Sequence, residues 1–120
     1  MIRGVRGATT VENDLEEEVL DACKELLLQM QRQNAIRPED LAAVIFTVTP
    51  DIKSAFPAKA ARLLGWTFVP LIDAVEPDVE NAPTKCIRVL MLWNVDLPQD
   101  SIKHVYLRNA RSLRPDLTGS

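Results

Sequence analysis

One segment constrains this chain more than any other: "KCIRVLMLWNV", Lys85 to Val95. Side chains alternate faces along a strand. One face carries Cys86, Arg88, Leu90 and Leu92, and the other carries Ile87, Val89, Met91 and Trp93. Both faces are apolar, so the strand is expected to be covered on both sides. Arg88 is its odd member, because a cation inside such a strand needs a partner. That partner is either a protein carboxylate or a bound anion.

The rest of the chain supplies layers for this strand. "IRGVRGATT", Ile2 to Thr10, reads as a strand. Apolar residues at Leu15, Val19, Ala22, Cys23, Leu26, Leu27 and Met30 form a one-faced helical stripe. Asn13 or Asp14 is expected to cap that helix, with Glu16 or Glu17 completing a capping box. "RPEDLAAV" begins with a short turn, and "VIFTVT" is a buried-looking strand ending at Pro50. "AFPAKAARLLG" has proline near a helix start and Gly65 at its end. "WTFVPLIDAVE" is strand-like, but Pro70 confines it to an edge or a bend. "IKHVYL" offers a last short strand. The order strand, helix, strand, helix, strand, strand, strand predicts an α/β (α+β) domain with a mixed sheet.

With 120 residues, 47% of them apolar, the chain is one domain's worth with a real core. A net charge of −3 argues against general nucleic-acid binding, which needs a basic face. No apolar run reaches the roughly 18 residues of a membrane span. Nothing at the N-terminus resembles a signal peptide, so a cytoplasmic location is expected. Cys23, Cys86 and the lone His104 fit no metal spacing. Neither metal nor cofactor is expected, and the two thiols are expected to stay unpaired.

Several polar residues have two readings each. Arg6, followed by Gly7, is a surface residue or an anion ligand that a glycine lets something approach closely. Lys59 and Arg62 share a helix face with Phe56 one turn earlier; they are a solvated face or a pocket wall. Glu76 ends a strand, and Tyr106 reads as packing with its hydroxyl at a rim. His104 reads as structural or exposed and suggests no triad. Together they describe fixed cations around one carboxylate and one phenol, without a nucleophile. Such a site suits a small polyanion better than hydrolysis.

The segments "IRGVRGATTVE", "TPDIKSAFPAKAAR", "GWTFVP", "KCIRVLML" and "IKHVYL…LRPDL" closely resemble the monofunctional chorismate mutases of the trimeric α/β (AroH) class. The resemblance covers residues 1–117 and leaves 118–120 as a tail. It implies the Claisen rearrangement of chorismate to prephenate, on the route to phenylalanine and tyrosine. It also implies helices on one side of the sheet and a homotrimeric pseudo-α/β barrel with sites between subunits. In that family's terms Arg88 faces the ether oxygen and a carboxylate. Arg6 clamps a carboxylate, and Glu76 accepts from the ring hydroxyl. Phe56, Ala58, Lys59, Arg62, Ile72, Asp73, Tyr106, Leu113 and Arg114 complete the substrate-binding set. Ile72-Asp73 stands where many members have Thr-Cys, which would put a second carboxylate beside Glu76. A non-catalytic sensor of an anionic metabolite, or an enamine/imine deaminase on the same architecture, is the alternative.

Overall fold

The computed structural model describes residues 1–113; the position expected for Arg114 lies outside them. Five strands, β1 (Ile2–Thr10), β2 (Leu41–Val48), β3 (Leu71–Val75), β4 (Cys86–Asn94) and β5 (Val105–Tyr106), form one sheet in the order β3-β2-β4-β1-β5. β4 runs antiparallel to both β1 and β2, while β2–β3 and β1–β5 pair in parallel. The apolar strand β4 is the middle one, and the proline-limited strand is an edge, as expected. It starts only at Leu71, so the Trp66–Pro70 part of the strand reading does not hold. Pro70 has no N–H, but its carbonyl accepts from Val44 N–H just before the ladder begins.

Two helices, α1 (Glu16–Asn34) and α2 (Ala58–Leu63), lie on one face. The α1 stripe buries Val19, Cys23, Leu26, Leu27 and Met30 completely. Facing it are Val5, Val44, Phe46, Ile87, Val89 and Met91, all within the core. Each such side chain contributes roughly 1.5–3 kcal/mol on burial. α2 ends where expected: Gly65 takes φ +86°, and its N–H and that of Trp66 close back on Arg62 and Ala61.

The α1 cap differs from expectation. Leu15 occupies the cap position with no side-chain hydrogen bond. Asp14 is engaged elsewhere, accepting from the backbone N–H groups of Lys53 and Ser54. Glu18 reaches back instead, and its Oε1 accepts from Glu12 N–H at 2.9 Å.

The opposite face of the sheet is a third departure. Leu90 and Leu92 are only half-buried, and Arg88 is exposed. Within one chain, β4 is therefore covered on one face only. Gly7 explains part of the fit on the covered side. A methyl group there would run into Met30 Sδ and come within 3.1 Å of Leu26 Cδ1. Gly7 thus makes room for α1, not for a ligand.

Candidate active site

The open face gathers residues from all five strands. Antiparallel register sets Arg6 opposite Leu90 and Ala8 opposite Arg88. On the other side of β4, Thr47 pairs with Arg88 and Ile45 with Leu90. Tyr106 lies beside Ala8 on β5. These residues share one face by strand alternation. With Leu113 they line a cavity of about 310 Å³. Arg6 and Arg88 thus project into the same space from neighbouring strands.

Arg88 has a protein partner. Its Nε lies 3.2 Å from Glu76 Oε2, with 47% of the Arg88 side chain and 19% of the Glu76 side chain exposed. Glu76 follows directly on β3, and its N–H extends the ladder to Val48 O. The same Oε2 accepts from Thr47 Oγ1 at 2.6 Å. Of the two alternatives for Arg88 the protein carboxylate holds, and the same side chain also borders the cavity. A pair this exposed adds little to stability, about 0–1 kcal/mol. Folding alone does not account for an arginine here.

Arg6 is exposed on this face, whereas Arg3, of opposite parity, is half-buried with its Nε donating to Leu97 O at 2.7 Å. His104 Nδ1 accepts the backbone N–H of Arg6 at 2.9 Å. The ladder from β5 reaches only Gly7 and Ala8, so an imidazole takes over at the next amide.

The remaining expected residues lie elsewhere. A second cavity of about 430 Å³, on the α2 side of the β3 edge, is lined in part by Phe56, Lys59, Asp73 and Val75. Phe56 is 71% exposed, and Lys59 Nζ sits 3.7 Å from Glu16 Oε2. Arg62 is exposed further along α2. Ala58 is buried; its N–H donates to Asp73 Oδ1 at 2.9 Å. Ile72 stands on the open face, opposite Ile45 and 61% exposed.

Asp73 does not supply the second carboxylate expected beside Glu76. It pairs with the buried Phe46, on the helix side of the sheet, and is no neighbour of Glu76 there. Burial pushes its carboxyl pKa up, opposed by the Ala58 N–H and the charge of Arg62. Repulsion by Glu76 is not the cause. Burial likewise raises Cys86, countered by the neighbouring Arg88 charge. Cys23 and Cys86 are both free, buried thiols.

Thr47 is the polar residue that sequence reasoning passes over, whereas His104, read as structural or exposed, has a structural bond to Arg6. The signal for Thr47 was present, as a hydroxyl interrupting the apolar run "VIFTV". Among the described residues no cluster of His, Cys, Asp and Glu could hold a metal ion, and no helix is long and apolar enough to cross a membrane.

The family model for chorismate mutase type I matches residues 2–117. The chain is 57% identical over 118 residues to chorismate mutase AroH of Thermus thermophilus, covering 98% of this chain and 97% of that protein. It is 50% identical over 119 residues to chorismate mutase AroH of Bacillus subtilis (strain 168), covering 98% and 94%. Among solved structures, a chorismate mutase from Clostridium thermocellum superposes with a TM-score of 0.89 at 43% identity, over 91% of this chain and 97% of that one. The sensor and deaminase alternatives gain no support from these matches. A family model spanning almost the whole sequence, relatives at half or more identity and a shared fold lead to one conclusion: the chain belongs to the chorismate mutase type I family.

Proposed function

We propose that the chain's isomerisation of chorismate to prephenate takes place on the open sheet face, between Arg6, Arg88, Glu76 and Tyr106. Chorismate is a dianion with an allyl vinyl ether. Its rearrangement is concerted and needs no proton transfer and no covalent enzyme intermediate. Two contributions remain for a protein to make. One is confinement of the compact conformer in which the bond-forming carbons meet. The other is stabilisation of the ether oxygen as it gains charge.

Arginine suits both tasks, being permanently charged, planar and able to hold a carboxylate by two parallel hydrogen bonds. Arg6 is read as the carboxylate clamp and Arg88 as the cation beside the breaking ether bond. Glu76 accepts the ring hydroxyl, and Tyr106 and Leu113 close the wall. The observation that carries this reading is the register that aims Arg6 and Arg88 into one cavity.

The second cavity belongs to the same reading through a second copy of the chain. The open face surrounds its charges with Ile45, Leu90, Leu92 and the exposed Ile72, apolar surface that a lone chain leaves in water. Phe68, at 96% exposure, lies near the same edge of the sheet. Closed cyclic assembly, as a homotrimer, covers this surface. It brings Phe56, Lys59 and Arg62 of one copy to the arginines of the next.

The test is chorismate consumption by an Arg88→Ala variant that remains folded. Loss of one preorganised donor to the developing charge should lower kcat by about a hundredfold to a thousandfold. Near-parental turnover would move the reaction away from this face.

A further inference from the structure

Thr47 is a hydroxyl in the middle of an apolar strip. Its cross-strand neighbours are Ala74 on β3 and Arg88 on β4, with Ile45 two residues before it on the same face. Its Oγ1 donates to Glu76 Oε2 at 2.6 Å, the oxygen that also meets Arg88 Nε at 3.2 Å. Three strands of the sheet thus converge on one carboxylate oxygen.

A free glutamate side chain has several rotatable bonds and a broad terminal torsion. Arginine and carboxylate favour a two-pronged pairing with two parallel bonds. Without a further constraint, Glu76 would turn both oxygens onto Arg88. That arrangement would occupy the guanidinium fork that the reaction needs. Threonine is β-branched and stiff at χ1, so its hydroxyl is a donor with little freedom.

We propose that Thr47 is a positioning residue that pins Glu76 through Oε2. Pinned there, Glu76 meets Arg88 with one oxygen at Nε. Oε1 stays available to a substrate hydroxyl, and the terminal nitrogens of Arg88 stay available to a substrate anion. The proposal rests on the reading of Arg88 and Glu76 as the reacting site.

The experiment is a double-mutant cycle on the full chain, using steady-state kinetics with chorismate. Thr47→Val keeps the shape of the side chain and removes the hydroxyl. It should lower kcat/KM about tenfold, the effect of losing one hydrogen bond to a charged group. Thr47→Ser, which keeps the hydroxyl, should restore most of that loss. In a Glu76→Gln background, adding Thr47→Val should change kcat/KM by less than about twofold, because the carboxylate it positions is gone. If the Val variant does not fold, Thr47→Ala takes its place in the cycle. No loss in the parent background, or an equal loss in both backgrounds, overturns the proposal. Full activity in Glu76→Gln would overturn the site reading itself. An impaired Glu76→Gln beside an unimpaired Thr47→Val would overturn only the positioning role.

Discussion

His104 Nδ1 accepts the main-chain N–H of Arg6 at 2.9 Å, so the sole histidine braces the strand at the proposed carboxylate clamp. An acceptor at Nδ1 requires that nitrogen to be unprotonated, with the proton of the neutral ring on Nε2. His104→Ala removes the acceptor and should raise KM about fivefold, equivalent to roughly 1 kcal/mol for one net hydrogen bond. His104→Asn offers an amide oxygen at a similar reach and should recover most of that loss. Equal KM values in the parent and the Ala variant would remove the brace from the account.

The two site arginines should fail differently. Arg88→Lys keeps charge but loses the planar fork, and should lower kcat by at least about a hundredfold. Arg6→Ala removes a clamp already engaged in the ground state, so its main effect should be a higher KM. Steady-state kinetics on both folded variants separates the roles. A normal kcat in Arg88→Lys would leave confinement alone to carry the rate.

Asp73 gives a stability prediction with a definite sign. Its pKa is raised, chiefly by burial. The native state then holds that proton more tightly than the unfolded chain. The contribution to stability is fully present below the unfolded pKa and is lost as pH rises through the native one. Asp73→Asn keeps an oxygen for the Ala58 N–H and removes the charge. Its thermal midpoint should exceed the parent's near pH 7, with the gap closing as the solution is brought to about pH 3. A less stable Asn variant at neutral pH would mean that attraction to Arg62 outweighs burial.

Arg88 and Lys59 line different cavities of one chain, and in the proposed trimer they meet across a subunit boundary. Arg88→Ala and Lys59→Ala chains, each nearly inactive alone, should regain activity when unfolded and refolded together. Random assembly at equal amounts leaves about a quarter of boundaries with both native residues. Recovery near that fraction supports shared sites. No recovery from trimers shown to be mixed would place both residues in a site within one chain.

Gly7 is the tightest point between α1 and the sheet. Gly7→Ala must displace Met30 and Leu26, and should destabilise the fold by about 1–3 kcal/mol. Shortening Met30 to Ala in the same chain should recover part of the loss contributed by Gly7→Ala. Denaturant titration of the three variants measures the coupling.

Much of this was legible from periodicity. The 3.6-residue stripe from Val19 to Met30 gives the buried face of α1, and the apolar run around Arg88 marks β4 as a main strand of the sheet. What escaped depended on partners distant in sequence. Asp14 looked like a cap because sequence cannot show that the amides of Lys53 and Ser54 compete for it. Gly7 beside Arg6 suggests close approach of a ligand, but alternation turns the place of its missing side chain toward α1, where Met30 and Leu26 take the room. The resemblance puts Asp73 beside Glu76, although the pleat turns Asp73 to the helices. Thr47 meets both Glu76 and Arg88 only because β2 lies between β3 and β4, an order that differs from chain order.

Arg6 opposite Leu90 and Arg88 opposite Ala8 place the two cations on a diagonal of the β1–β4 ladder. Diagonal neighbours on one face stand roughly 7–8 Å apart at their bases. That gauge belongs to the main chain. A slip of one residue would turn every β1 side chain to the other face, burying Arg6 against α1. Rotamer changes move the tips of the jaws but leave the hinge points fixed. In the proposed site the sheet would act as a caliper with a single setting, and selectivity for the spacing between a ligand's anionic groups would be inherited from backbone hydrogen bonds.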